Sequence, residues 1–571
     1  MHFNLADLWE RVAETVPEHE AVVDGDRRFT YAELDQRADR LAHTLAAQGI
    51  GPGDHVAVYL YNSVEYLETM LAAFKLRAVP INVNYRYVED ELRYLFTDCD
   101  ARAVVFHQEF APKLCAIRSS LPLLQTFIEV DDGLGAATAN GARDGEAHAD
   151  ATGNTDGTGA HVADGAREHD ALGVLEYEAA LRSAPEGRAG SDRSGDDIYI
   201  LYTGGTTGMP KGVMWRHEDV FFGAMGGGSG GGAAITTPEE IAQRCLAART
   251  RCVPACPFMH GTAHWMAFST LFLGGSVIIP TDHTLAPVNL WELIAREQAN
   301  FLVIVGDAFA RPMLDALERD TEPNAADLDL SSCRVILSGG AILSPTLKRA
   351  LVDRLPGALV VDGYGASETG GQGQSVTVAG APIATAPRFS VNDETTVLGP
   401  EFAPLPAGVV GLLARRGHIP LGYYKDPEKS AATFPVVDGV RWSVPGDHAV
   451  IEDDGTITLL GRGSVSINTG GEKVYPEEVE SALKSLDAIF DAVVVGVPDA
   501  RFGERVIAVV QARPGTTPTL AEIHEHLHST LAGYKIPRGV VAVDEIMRSP
   551  SGKPDYRWAK AAAIAGLERD A

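Results

Sequence analysis

The stretch that decides the fold is Thr203-Gly-Gly-Thr-Thr-Gly-Met-Pro-Lys-Gly212, which follows the run Asp197-Ile-Tyr-Ile-Leu-Tyr202. The run has the length and the aromatic and β-branched composition of a strand. Four glycines in the next ten residues let the backbone approach a ligand closely, and three threonines supply hydroxyls. Lys211 adds a positive charge. A strand that leads into such a loop predicts a binding site for a polyphosphate.

Two better-known phosphate loops do not fit this stretch. A Walker loop needs Ser or Thr directly after its lysine, whereas Gly212 follows Lys211. A dinucleotide-binding fingerprint needs Gly-x-Gly-x-x-Gly at the start of a helix, and this loop lacks that spacing. The predicted phosphate site therefore belongs to another class.

Length, composition and charge exclude several classes of protein. The 571 residues, 45% hydrophobic and 22% charged, suffice for two or more globular lobes and exclude a mainly disordered chain. The formal net charge of −29 repels a phosphate polymer, so we expect no nucleic-acid partner.

Several features predict the compartment. Six scattered cysteines do not read as a disulfide framework, which favours a reducing cytoplasm. The N-terminus mixes acids into an amphipathic pattern unlike a signal peptide, and the most apolar window, Met266–Ile279, is too short to span a bilayer. We expect a cytoplasmic protein without a transmembrane segment, and leave peripheral membrane association and a homodimer open.

Hydrophobic periodicity in the first hundred residues predicts alternating helices and strands. Thr30-Tyr-Ala-Glu33 is a capping box, and the helix after it ends near Gly49. His55–Tyr61 is strand-like, and Ser63–Arg77 resumes helical spacing. Alternation at these lengths favours α/β layers with parallel strands.

One stretch interrupts this pattern. Asp131–Asp170 has no aromatic residue and is rich in Ala, Gly and acids, so it cannot bury enough apolar surface to become ordered. We predict a disordered surface insert there and set its outer limits at residues 131–195.

The C-terminal part of the chain consists of shorter units. From about Val465, the pattern predicts a helix at 477–486, strands at 492–497 and 505–511, and a helix at 519–531. These units predict a small α+β domain of roughly 110 residues after a large one. The expected fold class is α/β, with a multi-subdomain N-terminal domain at 1–462 and a C-terminal domain at 463–571.

Tyr202–Gly212, with the sequence YTGGTTGMPKG, resembles the signature loop of the acyl-adenylate-forming superfamily. That superfamily includes acyl-CoA ligases, peptide-synthetase adenylation domains and firefly-type luciferases. Ser338-Gly-Gly-Ala341 is similar to its adenine-side loop, and Val361-Asp-Gly-Tyr-Gly-Ala-Ser-Glu-Thr369 is similar to its Tyr-Gly-x-Thr-Glu motif. One departure is Gly204, where the family more often has Ser or Thr.

The resemblance implies a site for ATP, AMP and a magnesium ion. Tyr364 would pack beside the adenine, and Glu368 would hold Mg²⁺, a hard cation that prefers carboxylate and phosphate oxygens. Asp447 would accept hydrogen bonds from the ribose. The residues that the resemblance assigns to ATP and AMP are Thr203, Gly204, Gly205, Thr206, Thr207, Gly208, Gly339, Gly340, Ala341, Asp362, Tyr364, Gly365, Ser367, Asp447 and Arg462.

Gly461–Glu480 resembles the family's domain junction, at which the small domain rotates so that one substrate site serves two successive reactions. The small domain is accordingly expected to be mobile. Ser464 stands where the family usually has Asp or Lys. The residues assigned by resemblance to the hinge and to the CoA tunnel are Ser464, Gly470, Gly471 and Lys473.

Ser549-Pro-Ser-Gly-Lys553 resembles the family's last motif, whose lysine bridges the acyl carboxylate and the nucleotide. A cation on a flexible stem suits a place where negative charge gathers. The resemblance thus makes Lys553, Lys211 and Glu368 the predicted catalytic residues, with Glu368 also the metal ligand.

Pro257-Phe-Met-His-Gly261 resembles the family's aromatic and histidine motif, which assigns His260, Gly261 and Trp265 to an acyl pocket. Four residues with zinc-binding side chains are also spaced by four in this region: Cys252, Cys256, His260 and His264. Prolines between them break the helix that such spacing requires, so we predict no zinc site.

The resemblance implies two half-reactions. A carboxylate and Mg·ATP give acyl-AMP and pyrophosphate, and the thiol of CoA then displaces AMP. Ile419–Asp426 and Ser551–Lys560 look like segments of bacterial ligases that activate fatty acids and steroid side-chain acids such as cholestenoates. The expected function is an ATP-dependent acyl-CoA ligase for a hydrophobic carboxylate, with ATP, Mg²⁺ and CoA.

Three alternatives remain open. The acyl group could pass from acyl-AMP to a carrier protein, the substrate could be an aryl acid, or the chain could bind acyl groups or nucleotides without catalysis. Because the chain ends 18 residues after Lys553 with no carrier domain, CoA is the preferred acceptor.

Overall fold

A computed structural model gives the structure of most of the chain. It describes residues 2–131, 173–190, 192–203, 209–230, 232–247, 250–318, 324–383, 388–462, 465–469, 472–499, 503–528, 531–548 and 552–569.

The large domain contains two main β-sheets. Within the described ranges, the larger has thirteen strands, in the spatial order Thr395–Leu398, Val410–Arg415, Asp447–Ile451, Ile457–Arg462, Arg388–Val391, Gly370–Thr377, Leu359–Ala366, Val335–Gly339, Phe301–Ile304, Arg251–Pro254, Ser276–Ile279, Glu20–Asp24 and Arg27–Thr30. The other has eight described strands, in the order Gly422–Tyr423, Lys211–Arg216, Ile198–Thr203, Val79–Asn82, His55–Tyr59, Ala101–His107, Thr126–Val130 and Leu175–Glu176. A hairpin joins Val436–Val437 to Val440–Arg441.

Helices alternate with these strands. Those of the large domain are Leu5–Thr15, Tyr31–Ala47, Val64–Lys75, Glu89–Asp98, Ala111–Ile117, Tyr177–Ser183, His217–Gly223, Ile241–Ala247, Gly261–Phe272, Pro287–Arg296, Gly306–Asp315, Pro345–Arg354 and Pro427–Thr433. Short 3₁₀ turns lie at Gln108–Phe110, Arg118–Ser120, Gly226–Gly228, Pro238–Glu240 and Pro400–Phe402. Central strands of both sheets pair in parallel, which confirms the predicted α/β class.

The helices Tyr31–Ala47 and Val64–Lys75 begin where the sequence predicts. Thr30 caps Tyr31–Ala47: its hydroxyl accepts from the Glu33 N–H, and the Glu33 carboxylate accepts from the Thr30 N–H. This capping box satisfies two N–H groups that would otherwise lack partners. Ser63 precedes the helix Val64–Lys75, which is buried along its whole length.

The predicted disordered insert is wrong at its C-terminal end. Leu175–Glu176 adds a strand to the eight-stranded sheet, and Tyr177–Ser183 is a helix. The buried Tyr177 hydroxyl donates to Glu68 at 2.6 Å, and Arg193 forms a buried ion pair with Glu10 at 2.9 Å. These long-range contacts order the segment, and its composition does not reveal them. Residues 132–172 lie outside the described residues, so there the insert stays a prediction.

The small domain is a sheet covered by helices on both faces. Its five described strands are Glu472–Val474, Ile467–Thr469, Gly503–Ala512, Ile489–Asp499 and Gly539–Val543. The helices Pro476–Lys484 and Leu520–His528 pack with Val494 on one face, whereas Tyr556–Arg569 packs with Val493 and Val495 on the other, as strand alternation requires. A 3₁₀ turn spans Gly533–Lys535. Position 463 lies outside the described ranges, so the boundary after 462 stays a prediction.

Among the described helices, none combines the length and the hydropathy needed to cross a bilayer.

Candidate active site

Two cavities lie where the large domain meets the small one. The first, the strand-end cavity, has a volume of about 600 Å³ and lies at the carboxyl ends of Ile198–Thr203, Val335–Gly339 and Leu359–Ala366. The second, the interdomain cavity, has a volume of about 510 Å³ and lies between that edge and the small domain. Ligands of α/β proteins bind at such strand ends.

Most of the predicted nucleotide residues that the structure describes line one or both of the two cavities. The strand-end cavity is lined by Thr203, Gly339, Gly340, Tyr364, Gly365 and Ser367. The interdomain cavity is lined by Gly340, Ala341, Asp362, Tyr364, Gly365 and Asp447. Gly204 to Gly208 lie outside the described residues, and of Arg462 only the backbone is described, which pairs with Asp447 between adjacent strands.

Asp362 lines the interdomain cavity, and Tyr364 lines both cavities. The Asp362 carboxylate is buried beside Lys348, with Nζ 2.6 Å from Oδ2, and burial raises the pKa of this carboxyl. The Tyr364 ring packs against Phe389 with 5.6 Å between ring centroids. The two rings are tilted by 44° to each other, and the Tyr364 side of the pair lines both cavities.

The predicted phosphate loop joins the ends of a two-stranded hairpin. Thr203 and Lys211 are paired residues at its base, and 204–208 between them lie outside the described residues. The structure does not place Lys211 in the wall of either cavity. Its ammonium instead pairs with the Asp426 carboxylate, and this hydrogen bond lowers the Asp426 pKa. Asp426 also caps the next helix by accepting from the Lys429 N–H at 3.0 Å.

Glu368, the predicted metal ligand, is held by two contacts beside Ser367. The Tyr423 hydroxyl donates to its Oε1 at 2.9 Å, and the Ser443 hydroxyl donates to its backbone carbonyl at 2.6 Å. In the described part of the chain, no group of three or more His, Cys, Asp or Glu could hold a metal alone. Mg²⁺ commonly binds one or two carboxylates together with substrate phosphates, and a single oriented Glu368 fits that donor set.

The predicted acyl residues His260 and Gly261 line the strand-end cavity. A Cβ at position 261 would lie 3.0 Å from the Trp265 ring and 3.1 Å from Leu201, so a larger residue here would require the indole or Leu201 to shift by a few tenths of an ångström. The buried His260 Nε2 has no hydrogen-bond partner among the described residues. Burial first, and then the nearby Lys553 charge, lower the His260 pKa to about 3, so the ring is neutral at physiological pH.

A buried hydrogen-bond chain that the sequence analysis missed fixes Trp265. Its indole N–H donates to the Tyr199 hydroxyl at 3.2 Å, and that hydroxyl donates to His264 Nε2 at 2.5 Å. His264 Nδ1–H donates to the Phe258 carbonyl at 2.6 Å. Burial lowers the His264 pKa to about 4, which keeps the imidazole neutral and able to accept from Tyr199. The sequence signal was only an inward-facing tyrosine in the predicted strand.

Asn82 is a second residue that sequence reasoning missed. It ends the strand Val79–Asn82, and its amide donates to the carbonyls of Tyr202 and Met259, both at 2.8 Å. Its Oδ1 accepts from the Tyr202 N–H at 2.7 Å. One side chain thereby ties together the strand before the phosphate loop and the turn before His260. A polar residue at the end of a buried strand was the only signal.

The small domain contributes Lys553 to the walls of both cavities. Gly552 has φ +71°, and a Cβ there would lie 3.1 Å from Val305 of the large domain. Arg548 donates to both carboxylate oxygens of Asp491 at 2.6 Å and to the Gly552 carbonyl at 2.8 Å. The structure thus brings Lys553 together with the predicted nucleotide and acyl residues.

The predicted hinge and CoA residues are described less fully. Ser464, Gly470 and Gly471 lie outside the described residues. Of Lys473 only the backbone is described, in the strand Glu472–Val474 that pairs with Ile467–Thr469. These assignments stay predictions.

Comparison with known proteins covers both domains. The model of the AMP-binding enzyme family matches residues 9–424, and that of the AMP-binding enzyme C-terminal domain matches residues 478–553. The chain is 46% identical to a 3-oxocholest-4-en-26-oate--CoA ligase of Rhodococcus rhodochrous, over 98% of this chain and 96% of that one. It is 43% identical, with the same coverage, to a medium/long-chain-fatty-acid--CoA/3-oxocholest-4-en-26-oate--CoA ligase of Mycobacterium marinum.

Solved structures share the fold. ATP-bound MatB from Rhodopseudomonas palustris has a TM-score of 0.75 at 26% identity, over 98% of this chain and 99% of that one. The anthranilate CoA ligase AuaEII, in complex with anthranoyl-AMP, has a TM-score of 0.79 at 22% identity, over 99% and 98%. Since the family models and the relatives both extend over the two domains, the chain belongs to the AMP-binding enzyme family, the acyl-adenylate-forming superfamily that its motifs resemble.

Proposed function

We propose that the protein is an ATP-dependent acyl-CoA ligase, which converts a fatty acid or a steroid side-chain acid to its CoA thioester through acyl-AMP. The observation that carries the proposal is that Lys553 of the small domain lines the same cavity as His260 and Tyr364 of the large domain. The Rhodococcus and Mycobacterium relatives, named as ligases for such acids, support the substrate class.

The nucleotide would lie across both cavities. Tyr364, which also contacts Phe389, would pack beside the adenine, and Asp447 would accept hydrogen bonds from the ribose. Thr203 and the loop after it would surround the phosphates. Magnesium, held by Glu368 together with phosphate oxygens, would neutralise part of the polyphosphate charge.

In the first half-reaction a carboxylate oxygen of the acid attacks the α-phosphorus, and the bond to pyrophosphate breaks. Lys553 holds the two anions together, and the neutral His260 adds no charge that would oppose it. Lys211 reaches the departing phosphates once it leaves Asp426. In the second half-reaction the CoA sulfur attacks the acyl carbon, AMP leaves, and the thiol proton passes to solvent.

The acyl group would occupy the apolar part of the strand-end cavity. Its wall includes Ala224, Met259, Trp265, Met266, Val305 and Leu337. Gly371 also lines it, and a Cβ at this glycine would meet no atom within 4 Å. Gly371 is exposed, so this glycine keeps one edge of the cavity free of a side chain, which suits a broad acyl group such as a fused ring system.

A thioester assay tests the proposal. Enzyme, Mg·ATP and CoA are incubated with octanoate, palmitate, benzoate and a C26 steroid carboxylate, and the products are identified by mass spectrometry, with Lys553→Ala as the control. Octanoyl, palmitoyl or steroid thioester, absent from the control, is the expected result. Acyl-AMP without thioester would indicate a carrier-dependent enzyme, benzoyl-CoA alone an aryl-CoA ligase, and no product a binding protein.

A further inference from the structure

One helix of the large domain, Gly306–Asp315, faces the small domain with a single stripe of side chains. Asp307, Arg311 and Asp315 are spaced by four, which places them on the same helix face. Each contacts the small domain. Asp307 Oδ2 lies 2.9 Å from Lys484 Nζ, the Arg311 guanidinium lies 5.4 Å from the Phe490 ring centroid, and Asp315 lies 3.9 Å from Arg513.

The Asp307–Lys484 contact is buried, whereas the Asp315–Arg513 contact is partly exposed. The Asp307 and Lys484 side chains are 6% and 4% exposed, whereas those of Asp315 and Arg513 are 39% and 37% exposed. Exposed ion pairs contribute little because water competes for both partners. A buried pair differs, since removal of one partner leaves an uncompensated charge away from water. The Asp307–Lys484 pair is therefore the contact through which orientation can be selected.

The large domain presents Asp307 rigidly. Its Oδ1 accepts from the Ser344 N–H at 2.7 Å, and its own N–H donates to the Ile342 carbonyl at 3.1 Å. Gly306 before it has φ +54°, and a Cβ there would lie 2.5 Å from the same carbonyl. The carboxylate thus has one position, and Lys484 meets it only when the small domain is docked as observed.

The pair is part of the same buried cluster as the support of Lys553. Lys484 ends the helix Pro476–Lys484, and the buried Glu480 lies one turn before it. The charge of Lys484 also helps to lower the pKa of Asp491, which accepts two hydrogen bonds from Arg548. Arg548 in turn donates to the Gly552 carbonyl, next to Lys553. The domain orientation that brings Lys484 to Asp307 is therefore the same one that places Lys553 in the cavities.

We propose that Asp307 and Lys484 are a positioning pair that selects the domain orientation used for acyl-AMP formation, and that they take no part in thioester formation. Neither residue needs to touch the acid. The pair acts through Lys553, since it holds the small domain where that lysine enters the strand-end cavity. This inference rests on the proposed two-step function.

The test measures the two half-reactions separately in Asp307→Asn, Lys484→Met and the double variant. Pyrophosphate release reports acyl-AMP formation, and thioester formation from supplied acyl-AMP and CoA reports the second step. Truncation of one partner of a buried charge pair at an interface is costly, so we expect kcat for acyl-AMP formation to fall about 10- to 100-fold in each single variant. Thioester formation should stay within about twofold of wild type. The double variant should lose no more than the worse single variant, because neither charge is then left alone.

Lys560→Met is the matched control. Lys560 pairs with Glu504 at 3.5 Å inside the small domain, 43% exposed, and its loss should change neither half-reaction. Circular dichroism establishes that each variant is folded, and the double variant keeps the test decisive if one single variant is not.

Several outcomes would overturn the pairing. Equal loss of both half-reactions would indicate general destabilisation, and additive losses in the double variant would mean that the two residues act independently. A raised KM for supplied acyl-AMP would indicate that Lys484 binds the nucleotide directly. If the wild-type enzyme releases pyrophosphate but makes no thioester, the CoA ligase function is refuted. The positioning role of Asp307 and Lys484 would still be tested by the acyl-AMP assay.

Discussion

Asn82 should be essential for catalysis although it carries no charge. Replacement by alanine removes three hydrogen bonds, of 2.7, 2.8 and 2.8 Å, and leaves the Tyr202 N–H and two carbonyls without their partner. A buried polar group left unsatisfied costs about 1–3 kcal/mol, so three such groups give an expected loss of at least about 3 kcal/mol in the free energy of unfolding.

The functional effect of Asn82→Ala should exceed what lost stability alone explains. The side chain holds the turn before His260 at a fixed distance from the strand that carries Thr203. A displacement of about 1 Å between reacting groups costs on the order of 100-fold in rate, so we expect kcat/KM for acyl-AMP formation to fall about 100-fold. Asn82→Asp should be as severe, because its carboxylate would face two carbonyl oxygens.

The assay is pyrophosphate release at a temperature at which both proteins are folded, alongside denaturant unfolding. Asn289→Ala is the control, since the Asn289 amide is exposed and, in the described part of the chain, donates to the Asp282 carboxylate at 3.2 and 3.3 Å. A kcat/KM for Asn82→Ala within about threefold of wild type would refute the reasoning, because a 1 Å displacement predicts a far larger loss.

Three further perturbations follow from the described contacts. Lys75→Met should cost about 3–5 kcal/mol of unfolding free energy, because Asp35 and Asp39, each 2.8 Å from the buried ammonium, lose that cation, whereas Glu10 keeps its ion pair with Arg193; an unchanged denaturation midpoint would contradict this. His264 has its pKa lowered from 6.5 to about 4, so the unfolded state binds its proton first and stability falls as pH drops through 6.5. Between pH 7.5 and 5.5, this histidine accounts for a loss of about 1 kcal/mol in the free energy of unfolding. The free energy of unfolding of His264→Gln should therefore fall by about 1 kcal/mol less than that of the wild type over this interval. An identical pH slope in the two proteins would exclude the assignment. Gly371→Leu should place a side chain at the exposed edge of the strand-end cavity, so thioester formation should fall at least about tenfold for a C26 steroid acid and less for octanoate; equal losses would place the acyl group elsewhere.

Local and contiguous signals made much of the fold predictable. The capping box at Thr30 involves only residues three apart, so the sequence contains all that the helix start needs. The phosphate loop is likewise one run of residues, and the strand before it was located to within one residue, at Ile198–Thr203. Motifs such as Ser338–Ala341 and Val361–Thr369 locate the cavity walls for the same reason.

Long-range side-chain contacts could not be predicted. Asn82 bonds to residues 120 and 177 positions away, and an isolated asparagine has no local pattern that reveals them. His264 was considered only as a zinc ligand, since its partner Tyr199 lies 65 positions earlier. The insert was predicted too long because composition does not show that Tyr177 meets Glu68 across 109 positions. In each case the missing information was the tertiary partner.

If Lys211 meets the nucleotide phosphates as proposed, its pairing with Asp426 would make nucleotide entry an exchange of counter-ions. Both side chains are partly exposed, at 35% and 26%, so a phosphate arriving from solvent can displace the carboxylate. The Lys211–Asp426 ion pair is lost when a Lys211–phosphate ion pair forms, so this lysine adds little to the net free energy of nucleotide binding. When pyrophosphate leaves, the Lys211 ammonium would pair with Asp426 again, and this would favour pyrophosphate release. Turnover would then be limited less by product that is held too tightly.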